Sequence, residues 1–92
     1  MNNQSNEVYL NHPNFGLLYR ICLLKDNQEL FTTLYAQRLF FTVVTNSDSF
    51  AFEPISRTEA RLLVESMLRR LLLDREIDKH RELQAVYQRT FQ

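Results

Sequence analysis

A single glycine, Gly16, among 92 residues leaves no material for a Walker loop or a dinucleotide fingerprint, since both need several glycines where backbone approaches phosphate. The one cysteine, Cys22, cannot form an intramolecular disulfide, and its place in Ile21-Cys22-Leu23-Leu24 marks it as core filler rather than an activated thiol. Only two histidines occur, and neither His12 nor His80 has a second ligand at metal spacing; His12 reads as a turn residue bonding nearby backbone. No serine occupies a nucleophile elbow. No segment reaches the roughly 18 apolar residues that span a bilayer, and MNNQSNEVY lacks a basic stretch followed by an apolar one. These absences point to a cytoplasmic protein that is not an enzyme, with no metal, no cofactor, no small-molecule ligand of its own and no membrane.

An excess of one charge is missing too. Eleven basic and eleven acidic residues cancel, so the overall field offers nothing to a phosphate backbone. Up to Ile55 there are three basic residues against five acidic, and after it eight against six, interleaved as on a solvated helix. Direct RNA or DNA binding is the main rival to a protein-binding role, and this balance argues against it. A purely structural subunit of a permanent assembly is a third reading.

What the chain does have is 45% hydrophobic residues in an ordinary globular balance. Before Pro54 they form short runs of β-branched and aromatic types, predicting strands near Phe15 to Leu24, Leu30 to Tyr35, Arg38 to Val44 and Phe50 to Phe52, with a short one near Val8 to Leu10. Lys25 to Gln28, Ala36-Gln37 and Thr45 to Ser49 are the expected turns, with a bend at Asn11 to Asn14 forced by Pro13. After Pro54 the period changes. Ser56-Arg57-Thr58-Glu59 is a capping box, and Ala60, Leu63, Val64, Met67, Leu68, Leu71 and Leu72 then form one helical stripe. From residue 75 to 91 a weaker stripe runs through Ile77, Leu83, Val86, Tyr87 and Phe91, with Asp74 able to cap it. No glycine or proline enforces the break, so an antiparallel hairpin and one long bent helix are both open; the hairpin is the first choice because it lets the two stripes cover each other.

Alternation along the fourth strand puts Leu39, Phe41 and Val43 on one face and Arg38, Phe40, Thr42 and Val44 on the other. Both faces carry aromatics, which a small sheet can bury only by curling into a barrel that also receives the helices. Tyr35 and Arg38, at a turn, are expected to be exposed, and these residue types are enriched at interface hot spots.

The ordered set Tyr9-Leu10-Asn11-His12-Pro13, Phe15-Gly16-Leu17-Leu18-Tyr19, Glu29-Leu30-Phe31, Thr33 to Phe41, Phe52-Glu53-Pro54-Ile55, Glu59-Ala60-Arg61 and Leu63-Val64 resembles the PII-interacting protein X (PipX) family of cyanobacteria from about Tyr9 to Phe91. The resemblance implies an α+β fold: a small five-stranded Tudor-like, SH3-like β-barrel in residues 1–54, after a short polar tail, and a C-terminal two-helix hairpin in residues 55–92. It also implies a transcriptional coactivator of nitrogen control. Such a protein is held by the PII trimer when 2-oxoglutarate is scarce and released to the NtcA dimer when it is abundant, with further regulators docking on the helices. By matching position, the shared face would contain Tyr9, Phe15, Asp26, Tyr35, Gln37, Arg38, Leu39 and Phe41, with Glu7 a weaker candidate.

Overall fold

The computed structural model describes residues 8–35 and 37–92; the tail, Glu7 and the expected turn residue Ala36 lie outside them. Five strands precede two helices: β1 (Tyr9–His12), β2 (Gly16–Lys25), β3 (Gln28–Thr33), β4 (Phe40–Thr45), β5 (Phe50–Ile55), α1 (Arg57–Leu73) and α2 (Ile77–Phe91). The strands pair antiparallel in chain order, a meander that curls into a half-barrel of the expected Tudor-like kind, followed by the expected helical hairpin.

Curling is built into β2, the longest strand. Its register against β3 slips between Arg20 and Cys22 and again between Leu23 and Lys25, and each bulge bends and further twists the strand. The first slip turns both Ile21 and Cys22 toward the helix side. Burial there pushes the Cys22 thiol up to about 12, against a smaller opposing pull from Arg20. At the β1–β2 turn, Pro13 sets the bend, and Gly16, paired with His12, takes a φ of 78°, which any Cβ would strain.

Two cores result, one on each side of the sheet. Leu18, Phe31, Phe41 and Val43 fill the concave side, with Leu10 and Phe52 of the two edge strands and Val8, just before β1, packed on them. On the convex side Ile21, Leu30 and Phe40 meet Ala60, Val64, Leu68, Leu83 and Phe91 of the helices. Period-2 alternation in β4 therefore holds: Phe40 stacks on Phe91 at 5.4 Å, while its neighbour Phe41 faces the other way. Fully burying rings of this kind contributes about 1.5–3 kcal/mol each.

α1 begins as its sequence requires. The Glu59 amide donates to Ser56 Oγ at 3.0 Å and the Ser56 amide to Glu59 Oε1 at 2.9 Å, so two amides at the helix start are satisfied reciprocally. Ala60, Val64 and Leu68 are buried on the expected stripe, but Leu72 is half exposed because the stripe outruns the sheet it packs on.

The junction corrects one expectation. Asp74 does not open the second helix; it closes the first. Arg75 then takes a φ of 60°, its amide donating to the Leu72 carbonyl and that of Glu76 to the Leu71 carbonyl. This pair of bonds is a Schellman ending with arginine in the left-handed position that glycine usually fills. Glu76, without a side-chain capping bond, starts α2. The helices are joined further along where the Tyr87 hydroxyl donates to Glu65, a bond that, with some burial, holds the phenol above its ordinary pKa.

Candidate protein-binding face

Three connected facts of the sheet place the exposed rings. The β1–β2 turn and the β3–β4 loop lie at the same end of the meander, because β2 and β3 run antiparallel with Leu18 opposite Thr33. Between them opens a groove of about 550 Å³, lined by Asn14, Phe15, Leu17, Thr33, Tyr35, Arg38 and Leu39. Four of the eight expected contact residues therefore meet at one surface.

The turn and the loop that carry them are held by identifiable bonds. His12 Nδ1 accepts from the amides of Asn14 at 3.1 Å and Phe15 at 3.3 Å, which fixes the turn and agrees with the turn role read from the sequence. The His12 ring packs on Phe15 at 4.9 Å, on Phe41 at 5.5 Å and edge-on to Phe52 at 5.0 Å, so Phe15 rests on a ring stack rather than projecting freely. On the other lip the Leu34 amide donates to the Leu17 carbonyl and the Gln37 amide to the Thr33 carbonyl, which tightens the loop and leaves Gln37 with a φ of 51°. Thr33 Oγ1 accepts from the Arg38 amide at 3.3 Å, and the buried Thr32 hydroxyl donates to the Leu39 carbonyl at 2.8 Å.

Tyr35 is the most exposed large hydrophobic side chain among the described residues, at 88%, and it lines this groove together with Arg38. The two ion pairs found among the described residues, Arg20–Glu29 and Arg81–Asp78, do not involve Arg38. An aromatic ring, a leucine and an unneutralised guanidinium around a concave floor can bind a protein surface that offers an apolar side chain and a carboxylate or carbonyl.

The remaining expected residues separate. Gln37 is half-buried within the same loop, and Tyr9 is half exposed on the edge strand opposite Tyr19, outside the groove. Asp26 occupies the β2–β3 turn, at the far end of β3 from Tyr35. Phe41 is only 3% exposed; it supports Phe15 from below at 5.6 Å and presents no surface of its own. The resemblance puts Phe41 on the shared face, whereas the ring lies inward, covered by His12 and Phe15.

Sequence reasoning missed Thr32 and Thr33, whose hydroxyls hold the loop. The available signal was a pair of threonines ending a strand before a turn that has neither glycine nor asparagine. Among the described residues no group of three or more His, Cys, Asp or Glu side chains could hold a metal, and no helix is long and apolar enough to cross a membrane.

No curated protein matches this chain. The family model for PipX, PII-interacting protein X, matches residues 6–91, and the chain belongs to that family.

Proposed function

We propose that this member of the PipX family is a regulatory adaptor that binds PII through the Phe15, Tyr35, Arg38 and Leu39 groove. The observation that carries the reading is the convergence of these four exposed side chains at one end of the sheet, inside the region matched by a family described as PII-interacting. Tyr9, Gln37 and Asp26 extend the contact along the barrel, and Phe41 acts beneath it. Residues 1–54 serve as the partner-binding barrel and residues 55–92 as a hairpin that braces it and offers surface to further regulators.

The second partner in this reading is the NtcA transcription factor. An adaptor without catalysis acts by binding one state of its partner more tightly than another. The PII trimer holds the chain when 2-oxoglutarate is low. When the effector rises, PII loses its grip and the freed groove stabilises the active, effector-loaded NtcA dimer. A tenfold preference is about 1.4 kcal/mol, within reach of one well-placed aromatic contact. Because both partners use the same groove, the two complexes exclude each other.

Calorimetric titration of the chain into purified PII and into purified NtcA, each with and without 2-oxoglutarate, tests this. The effector should weaken the first complex and strengthen the second. Affinities that ignore the effector, or a ternary complex of all three proteins, would overturn the proposal.

A further inference from the structure

A second concavity lies away from the Tyr35 groove, where the β2–β3 turn meets α1. It measures about 430 Å³, and its apolar walls are Leu24 from β2 with Leu63, Met67 and Leu73 from α1. Leu24, Leu63 and Met67 are half-buried, while Leu73 stands 83% exposed at the rim, next to half-exposed Leu72 and Ile77 at the hairpin tip. Its charged lining is of one sign: Lys25, Arg69 and Arg70, all exposed, with no acidic residue among the lining side chains. Neither ion pair found among the described residues uses any of these three cations.

We propose that this groove is a docking site for an acidic amphipathic helix of another protein, with apolar side chains of that helix seated between Leu63, Met67 and Leu73 and its carboxylates facing Lys25, Arg69 and Arg70. Charge complementarity chooses the occupant. Three cations around an apolar cleft in a chain of zero net charge are a local excess, and a helix with acids flanking an apolar stripe satisfies both features together. A phosphate backbone would meet the cations but leave Leu24, Leu63 and Met67 without a partner, so nucleic acid fits the site less well. A second copy of this chain is also a poorer fit, because the exposed acids of α1 and α2 alternate with arginine and lysine. This site is independent of the Tyr35 groove and does not rest on its proposed function.

The test uses the full chain and a fluorescein-labelled amphipathic helical peptide with leucine on one face and glutamate on the other, beside the same peptide with lysine in place of glutamate and a single-stranded DNA oligonucleotide. Support is saturable binding of the glutamate peptide, amide chemical-shift changes centred on Leu24, Leu63, Met67 and Leu73, and an affinity loss of about tenfold in the Arg69→Glu/Arg70→Glu variant, while Tyr35→Ala binds unchanged. Both arginines are solvent-exposed, so that variant should keep its far-ultraviolet circular dichroism; Met67→Gln tests the apolar wall separately if it does not. Equal binding of the two peptides, shifts that map elsewhere, or binding of the oligonucleotide but not the peptide would overturn the proposal.

Discussion

The hydroxyl of Thr32, fully buried in β3, donates to the Leu39 carbonyl at 2.8 Å, and the same carbonyl accepts the Thr33 amide at 3.2 Å. One carbonyl thus anchors the far side of the loop that presents Tyr35 and Arg38. Thr32→Val keeps the side-chain shape and removes only the donor, so it should cost about 1 kcal/mol in denaturant stability. Protection of the loop amides from hydrogen exchange should fall more than that of β2. Unchanged loop exchange would mean that the hydroxyl does not position the face.

Tyr35 has almost no packing to lose. Tyr35→Ala should leave stability within about 0.5 kcal/mol of the parent, yet weaken PII binding by about 2 kcal/mol, as expected for a hot-spot ring. Phe41→Ala should do the opposite, destabilising the fold by about 3–5 kcal/mol through the cavity left under His12 and Phe15. Melting curves and titrations on the two variants separate a contact from its support.

Arg75 adopts a backbone conformation that costs a side-chain-bearing residue about 1–2 kcal/mol. Arg75→Gly relieves this while retaining both closing hydrogen bonds, partly offset by the greater freedom of glycine in the unfolded chain. A net gain of about 0.5–1 kcal/mol is expected, read as a melting temperature higher by a few degrees. A loss of stability would show that the arginine side chain holds the junction.

Cys22 gives the chain an alkaline weakness. Its thiol titrates near 9.0 when unfolded and is pushed up to about 12 by burial. Below pH 9 both states hold the proton and nothing is lost. Between pH 9 and 12 the unfolded state releases it first, so stability should decline by up to about 1.4 kcal/mol per pH unit. Chemical denaturation at pH 8 and pH 10 checks the sign against Cys22→Ala, which should lack this component. At pH 8 the folded protein should resist iodoacetamide that labels the unfolded chain readily.

Much of this architecture could be read locally. Ser56 and Glu59 specify α1 because a capping box needs only its own four residues, and β4 could be split into two faces because alternation is intrinsic to an extended chain. Reading failed where distant packing or side-chain bonds replaced the usual turn chemistry. β3 ends at Thr33 rather than Tyr35, and β4 starts at Phe40 rather than Arg38, because threonine hydroxyls rather than Asn-Gly close the intervening loop. The α1–α2 junction escaped for a similar reason: an arginine occupies the position where a glycine would have announced the break. At the face, Tyr35 and Arg38 were legible from their turn, whereas the covering of Phe41 by His12 depends on how far the two sheet edges curl together, which no local pattern encodes.

Because Phe40 belongs to the helices and Phe41 to the barrel interior, β4 is locked in parity. A slip of one residue would deliver each ring to the wrong compartment and empty both cores at once. The segment from Tyr35 to Leu39 can change length or composition only by absorbing the change before Phe40. Adaptability on one side of that peptide bond is bounded by rigidity on the other.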